Sequence, residues 1–144
     1  MQLAVIDGQS ASLGSAIIRK IRQTYGNQIE IWALGTNDIA TTQMMKAGAN
    51  RGATGESSVC EVVYQADVIV GSLAVLISNA MMGEITPAMA VAVGASRARK
   101  ILLPFALDSE AVAVVGAIAA PQAYLLDKLV NQYLVAILDA GRFR

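Results

Sequence analysis

Histidine is absent from the 144 residues and cysteine occurs once, at Cys60. The chain therefore cannot build a zinc finger, a Cys/His nucleophile pair or a Ser-His-Asp triad from its own side chains, and no internal disulfide is possible. A carboxylate-only magnesium site stays open. A charge excess is lacking as well. Eleven basic groups meet eleven acidic ones and the isoelectric point is about 6.2, so the basic surplus of a backbone-tracking nucleic-acid binder is missing. No apolar run is long enough for a membrane span. The longest uncharged stretches, Val68 to Gly83 and Ala111 to Leu126, have sixteen residues each, against about 20 needed. Ser72, Ser78 and Asn79 interrupt the first, and Gly116, Pro121 and Gln122 the second. No basic segment precedes the first apolar run and Asp7 closes it, so no secretory signal is expected and the location expected is cytoplasmic.

What the chain has in excess is apolar residues, 55% of the total, with a mean hydropathy of +0.51. A single domain of this length buries roughly 68–70% of its unfolded surface. The remaining apolar excess either fills strands covered on both faces or lies in a subunit contact, and a homo-oligomer is expected.

The periodicity alternates between strand and helix. Gln2 to Ile6 is a short apolar run ending at Asp7-Gly8. Ser12 to Tyr25 places Leu13, Ala16, Ile17 and Ile21 at helical spacing. Ile29 to Leu34 is a second strand, Ile39 to Ala47 a second helix stopped by Gly48, and Arg51 to Thr54 a brief third strand. Glu56 to Gln65 predicts a helix and Asp67 to Gly71 a strand buried on both faces. A helix is predicted after Gly71 through about Met82, stopped by Gly83, and another starts at Thr86-Pro87, threonine as N-cap with proline at the first helical position. Ile101 to Phe105 and Val112 to Ile118 predict two strands about six residues apart. That gap is too short for a parallel crossover, so an antiparallel pair is expected. A terminal helix runs from Pro121 to about Asp139. The fold class predicted is α/β, a three-layer Rossmann-like open sheet, mostly parallel, with an antiparallel edge pair near the carboxyl end, in one domain over 1–144.

The loop Gly8-Gln9-Ser10-Ala11-Ser12-Leu13-Gly14 joins the first strand to the first helix. In a right-handed βαβ unit it lies at the carboxyl edge of the sheet, where slim residues and free helix-start amides favour an anion. Its G-x-x-x-x-x-G spacing is not a P-loop, since no lysine follows Gly14, and is closer to the G-x-x-x-G-x-G loop of short-chain dehydrogenases, with Ser12 at the middle glycine. The alternative is a plain strand-to-helix turn. Gly35, Thr36 and Asn37 end the second strand where dinucleotide binders keep an acid for the ribose; here Thr36 and Asn37 could hydrogen-bond a ribose or simply form the turn, and Asp38 reads as a helix-start residue. Gly71 and Ser72 would form the second wall of the crevice. The cofactor these residues favour is NAD or NADP, a nucleotide-type small molecule.

Asn79, Glu84 and Thr86 are polar groups in a very apolar stretch and need partners. Thr86 reads as a cap, and Glu84 is a candidate general base. Tyr124 and Lys128 have the Y-x-x-x-K spacing that lowers a phenol's pKa in reductases, but Ala111 stands where such a site keeps its serine, and a solvent-facing pair on the terminal helix is the plainer reading. Met44, Met45, Met81, Met82 and Met89 read as core filler, and Cys60 as a buried inert thiol. The stripe Leu125, Leu126, Leu129, Val130, Tyr133, Leu134, Ile137 and Leu138 is wider than one sheet face needs, which suggests a subunit contact.

Five phrases, Ala-Val-Ile-Asp-Gly-Gln (4–9), Ala-Leu-Gly-Thr-Asn (33–37), Lys-Ala-Gly-Ala-Asn (46–50), Gly-Ala-Thr-Gly-Glu (52–56) and Gly-Glu-Ile-Thr-Pro (83–87), together resemble a bacterial domain-of-unknown-function family of small Rossmann-like proteins, over about residues 1–118. That family has more glycine in the first loop, where this chain has Ser10, Ala11 and Ser12. The resemblance implies the fold and brings no activity or catalytic residue. The residues thus point first to a small nucleotide-binding protein, whose oxidoreductase activity, if any, would need a partner subunit to complete the pocket. A non-enzymatic assembly or regulatory module is the alternative, and a nucleotide-sugar or phosphometabolite enzyme using Glu84 or Asp7 a third.

Overall fold

The computed structural model describes residues 1–105, 112–117 and 119–141. Five strands, β1 (Gln2–Asp7), β2 (Glu30–Gly35), β3 (Arg51–Thr54), β4 (Val68–Ser72) and β5 (Arg99–Leu103), form one sheet in the order β3-β2-β1-β4-β5. Every pairing is parallel, with Leu3 opposite both Ile31 and Val68 and Val70 opposite Ile101. Because β1 lies between β2 and β4, the connections diverge on either side of it, which opens a crevice at its carboxyl end.

The helices α1 (Ser12–Tyr25), α2 (Asp38–Ala47), α3 (Glu56–Val62) and α4 (Pro87–Ala95) cover the sheet on two sides. Period-two alternation divides the strands between two cores. Leu3, Val5, Ile31, Val68, Val70 and Ile101 pack under α1, α2 and the terminal helix. Ala4, Ile6, Leu34 and Ile69 pack under α3 and α4. Polar side chains pin the ends of the elements. The Arg22 guanidinium, in the last turn of α1, donates to the carbonyls of Gly48 (2.8 Å) and Ile29 (2.7 Å) and to Asn50 Oδ1 (2.6 Å). Gly48, at φ 126°, stops α2, and Thr86 caps α4 by accepting from the Met89 N–H at 3.2 Å.

Three expectations are corrected. The helix predicted after Gly71 through about Met82 is a single 3-10 turn, Leu73–Leu76. Ser72 caps it, and Asn79, Met81, Met82 and Gly83 then take left-handed backbone that no α-helix contains. The antiparallel edge pair does not form. β5 is an edge strand, displaced two residues toward the amino end of the prediction, and Val112–Ala117 is not a strand. Val112 packs on the α3–α4 side while residues 113–117 are exposed, so the run has no second buried face to hold it to a sheet. Ile118, its predicted last residue, lies outside the described residues. The terminal helix has three pieces: α5 (Gln122–Lys128), a π-helical segment (Leu129–Leu134) and α6 (Val135–Gly141). No helix among the described residues is long and apolar enough to cross a membrane.

Candidate functional site

The crevice at the carboxyl end of β1 is framed by three loops: residues 8–11 after β1, 36–37 after β2, and 73–86 after β4. Gln9 (φ 52°) and Ala11 (φ 55°) both have left-handed backbone, an uncommon conformation for residues with a side chain. It turns the chain sharply from β1 into α1, with the Ala11 N–H on the Gly8 carbonyl at 2.8 Å. Ser10 and Ser12 face solvent. The N–H groups of Ser10, Ser12 and Leu13 make no hydrogen bond among the described residues.

Two carboxylates occupy the other donors. Asp7, the last residue of β1, accepts from the Gly8 N–H at 2.8 Å and the Gly14 N–H at 2.7 Å. Burial pushes its carboxyl above the usual range, outweighing those two bonds, and the nearby Glu84 charge adds to the rise. Glu84 reaches across from the β4 side. Its Oε1 accepts from the Gln9 N–H (2.9 Å), the Thr36 hydroxyl (2.5 Å) and the Asn37 side-chain amide (2.9 Å). Burial raises its pKa, but the three hydrogen bonds together prevail and hold it below the ordinary glutamate value.

The structure thus gathers most of the predicted residues at one edge, in altered roles. Thr36 and Asn37 hold Glu84, and Asn37 also caps α2 by accepting from the Ala40 N–H at 2.8 Å. Gly8 is close-packed by the chain itself: a Cβ there would lie 2.6 Å from Thr36 Oγ1 and 2.8 Å from Glu84 Oε1. At Gly14 a Cβ would lie 2.6 Å from Met44 Sδ and 2.9 Å from Asp7 Cβ. Gly35 is likewise tight against the start of α2, and Gly71 against the Ile6 carbonyl. Ser72 is buried, donates to the Phe105 carbonyl at 2.9 Å and accepts from the Ala74 N–H at 3.0 Å. Leu13 packs against the core beneath α1.

Sequence reasoning singled out Glu84 only as a base and missed its place on the first loop. The available signal was its isolation among apolar residues. Tyr124 and Lys128 sit on the terminal helix, and the ammonium lies over the ring face, 5.4 Å from its centroid. Cys60 is partly exposed, with its thiol pushed up by burial and by Glu56. Met82 and Met45 are exposed, against the expectation of core filler. Among the described residues no group of three or more Cys, Asp or Glu side chains converges as a metal site.

Order, parallel strands and the crevice beside β1 define a Rossmann-like α/β protein. The model of a domain of unknown function, DUF3842, matches residues 2–137, and the chain belongs to that family. No curated protein matches it. Among solved structures it is similar to a dodecameric FMN-dependent UbiX-like decarboxylase from Escherichia coli O157:H7. That structure has 14% identity and a TM-score of 0.50, over 92% of this chain and 94% of that one. The likeness is one of fold. Neither the family nor this neighbour supports the expected NAD or NADP.

Proposed function

We propose that the chain binds a nucleotide-type small molecule at the carboxyl edge of β1, with a phosphate in the place now taken by the Glu84 carboxylate. One observation carries this reading: three donors from two loops, on Gln9, Thr36 and Asn37, converge on a single carboxylate oxygen. Such a cluster suits any hard anion. Next to it stand the uncommitted amides of Ser12 and Leu13 at the start of a fourteen-residue helix, where the dipole favours negative charge. Glu84 is an internal stand-in for that anion. It is only partly buried, so a change of its side-chain rotamer is enough to clear the place. A flavin mononucleotide is the first ligand to test, given the FMN-dependent neighbour of similar fold, with NAD and NADP beside it. Asp7 has both oxygens committed to backbone amides and serves the loop, not the ligand.

Thermal unfolding with FMN, NAD, NADP and ATP tests the reading on the natural chain and on Glu84→Gln. A ligand at 100 times its Kd stabilises by about 2.7 kcal/mol. A shift that is larger in Glu84→Gln, where no carboxylate competes, is expected. Absence of a shift from every nucleotide in both proteins would sink the proposal. That outcome would favour the non-enzymatic assembly reading, which has its own support: the loop amides of Gly8, Gln9 and Gly14 are already satisfied by the chain.

A further inference from the structure

A concavity lies on the β5 flank of the molecule, apart from the β1 crevice. Between the outer edge of β5 and the terminal helix runs a groove of about 780 Å3, with buried Ile101, Leu103, Leu129 and Ile137 in its lining and the exposed residues Ala117 and Tyr133 beside them. The π-helical segment forms part of one wall. Three cations among the described residues also line it: Lys100 Nζ donates to the carbonyls of Ser96 (2.8 Å) and Ala98 (3.1 Å), Lys128 Nζ lies over the Tyr124 ring, and Arg99 is exposed. Apart from these cations and Gln132, the described lining is apolar or aromatic and suits an apolar guest.

The chain carries such a guest beside its own groove. Val114 to Ala117 forms a tight turn, with the Ala117 N–H on the Val114 carbonyl at 3.2 Å and Gly116 at φ 93°. Turn tips are ordinarily Gly, Asn, Asp, Ser or Pro. Here the tip is Val115, 100% exposed, preceded by Val114 at 41%. Gly116 and Ala117, the next two residues, already line the groove. A surface that carries both a projecting apolar knob and an adjoining apolar groove can pair with a copy of itself about a two-fold axis, each knob facing the other copy's groove.

We infer that this face is a homodimer interface in which Val115 of each copy enters the groove of the other. Tyr133, about half exposed, lines it with the residue type enriched at such contacts. Pairing there also covers the outer edge of β5, which no strand among the described residues pairs with and which is otherwise a template for misassembly. The inference stands apart from the nucleotide reading, since the groove is built from other elements.

Light scattering on the full chain at about 100 μM, with Val115→Asp, Tyr133→Glu and the control Val91→Asp, tests it. Val91 is 68% exposed on α4 and does not line the groove. The natural chain should be a dimer or larger assembly, and Val115→Asp and Tyr133→Glu should raise the dissociation constant at least tenfold with circular dichroism unchanged. Val91→Asp should assemble like the natural chain. Dilution to the monomer should speed amide exchange along β5. A monomeric natural chain, or assembly lost in Val91→Asp but kept in Val115→Asp, would overturn the inference.

Discussion

Asp7 and Glu84 lie on facing sides of one crevice, and the balance of burial against hydrogen bonding differs between them. For Asp7, burial wins. Its pKa lies above 3.8, so the folded state binds more protons than the unfolded state just above that value, and this contribution to stability falls as pH rises through the window. For Glu84, the donors from Gln9, Thr36 and Asn37 win and its pKa lies below 4.5. Its contribution is fully present above 4.5 and is lost as pH falls through the folded-state value. Glu84→Gln should therefore be less stable than the natural chain at about pH 7, and the difference should shrink toward about pH 3. Urea unfolding across that range measures it, and a difference independent of pH would contradict the assigned hydrogen bonds. Gly14 gives a second prediction at this scale. A Cβ there meets Met44 Sδ and, less able to yield, Asp7 Cβ, so Gly14→Ala should cost about 1–3 kcal/mol by overpacking. Ser12→Ala, at an exposed position in the same loop, should stay within about 0.5 kcal/mol. Equal losses in the two variants would mean that Gly14 serves as a slim approach to a ligand, not as a packing element.

The elements that were legible in the sequence are those whose signals are local. Thr86-Pro87 marks a helix start because the hydroxyl and the missing N–H act within one turn. The stripe of Ile17 and Ile21 on α1 is equally self-contained. The carboxyl-edge loop was placed correctly for the same reason. What escaped depends on distant partners. An apolar run after β4 carries helix periodicity, yet the fold needs the Asn79–Gly83 turn to aim Glu84 at Gln9, and only Ser78-Asn79 and Gly83 hint at it. Val112–Ile118 has strand composition, and nothing local says that β5 leaves its described part, Val112–Ala117, unpaired. The π-helical segment was also hidden, since its marker is the Tyr25 hydroxyl, which donates to the Val130 carbonyl at 2.9 Å across 105 residues of sequence. Tyr25→Phe should cost about 0.5–1.5 kcal/mol in urea unfolding and speed amide exchange over residues 129–135 before it does so in α1. Exchange rates unchanged there would show that the π geometry is held by packing alone.

Across the whole molecule the two cores share one sheet. Leu3 and Val5 of β1 face the terminal helix while Ala4 and Ile6 of the same strand face α3 and α4, and β4 divides in the same way with Val68 and Val70 against Ile69. Neither face can open without exposing strands that the other face needs. The domain should therefore unfold as one unit whichever core is weakened. Leu134 is fully buried on the inner side of the terminal helix and Val93 on the inner side of α4. Leu134→Ala should cost about 2–5 kcal/mol and Val93→Ala somewhat less, by cavity formation. Each should leave a single transition with the denaturant dependence of the natural chain. Trp32 on β2, the single tryptophan, reports the sheet by fluorescence, and far-ultraviolet circular dichroism reports the helices. The two curves should coincide in both variants. Separation in Leu134→Ala, with helix signal lost before Trp32 responds, would mean that the terminal helix is a separable layer. The β5 groove would then open and close with it, and Leu3 and Val5 of β1 would lose their cover.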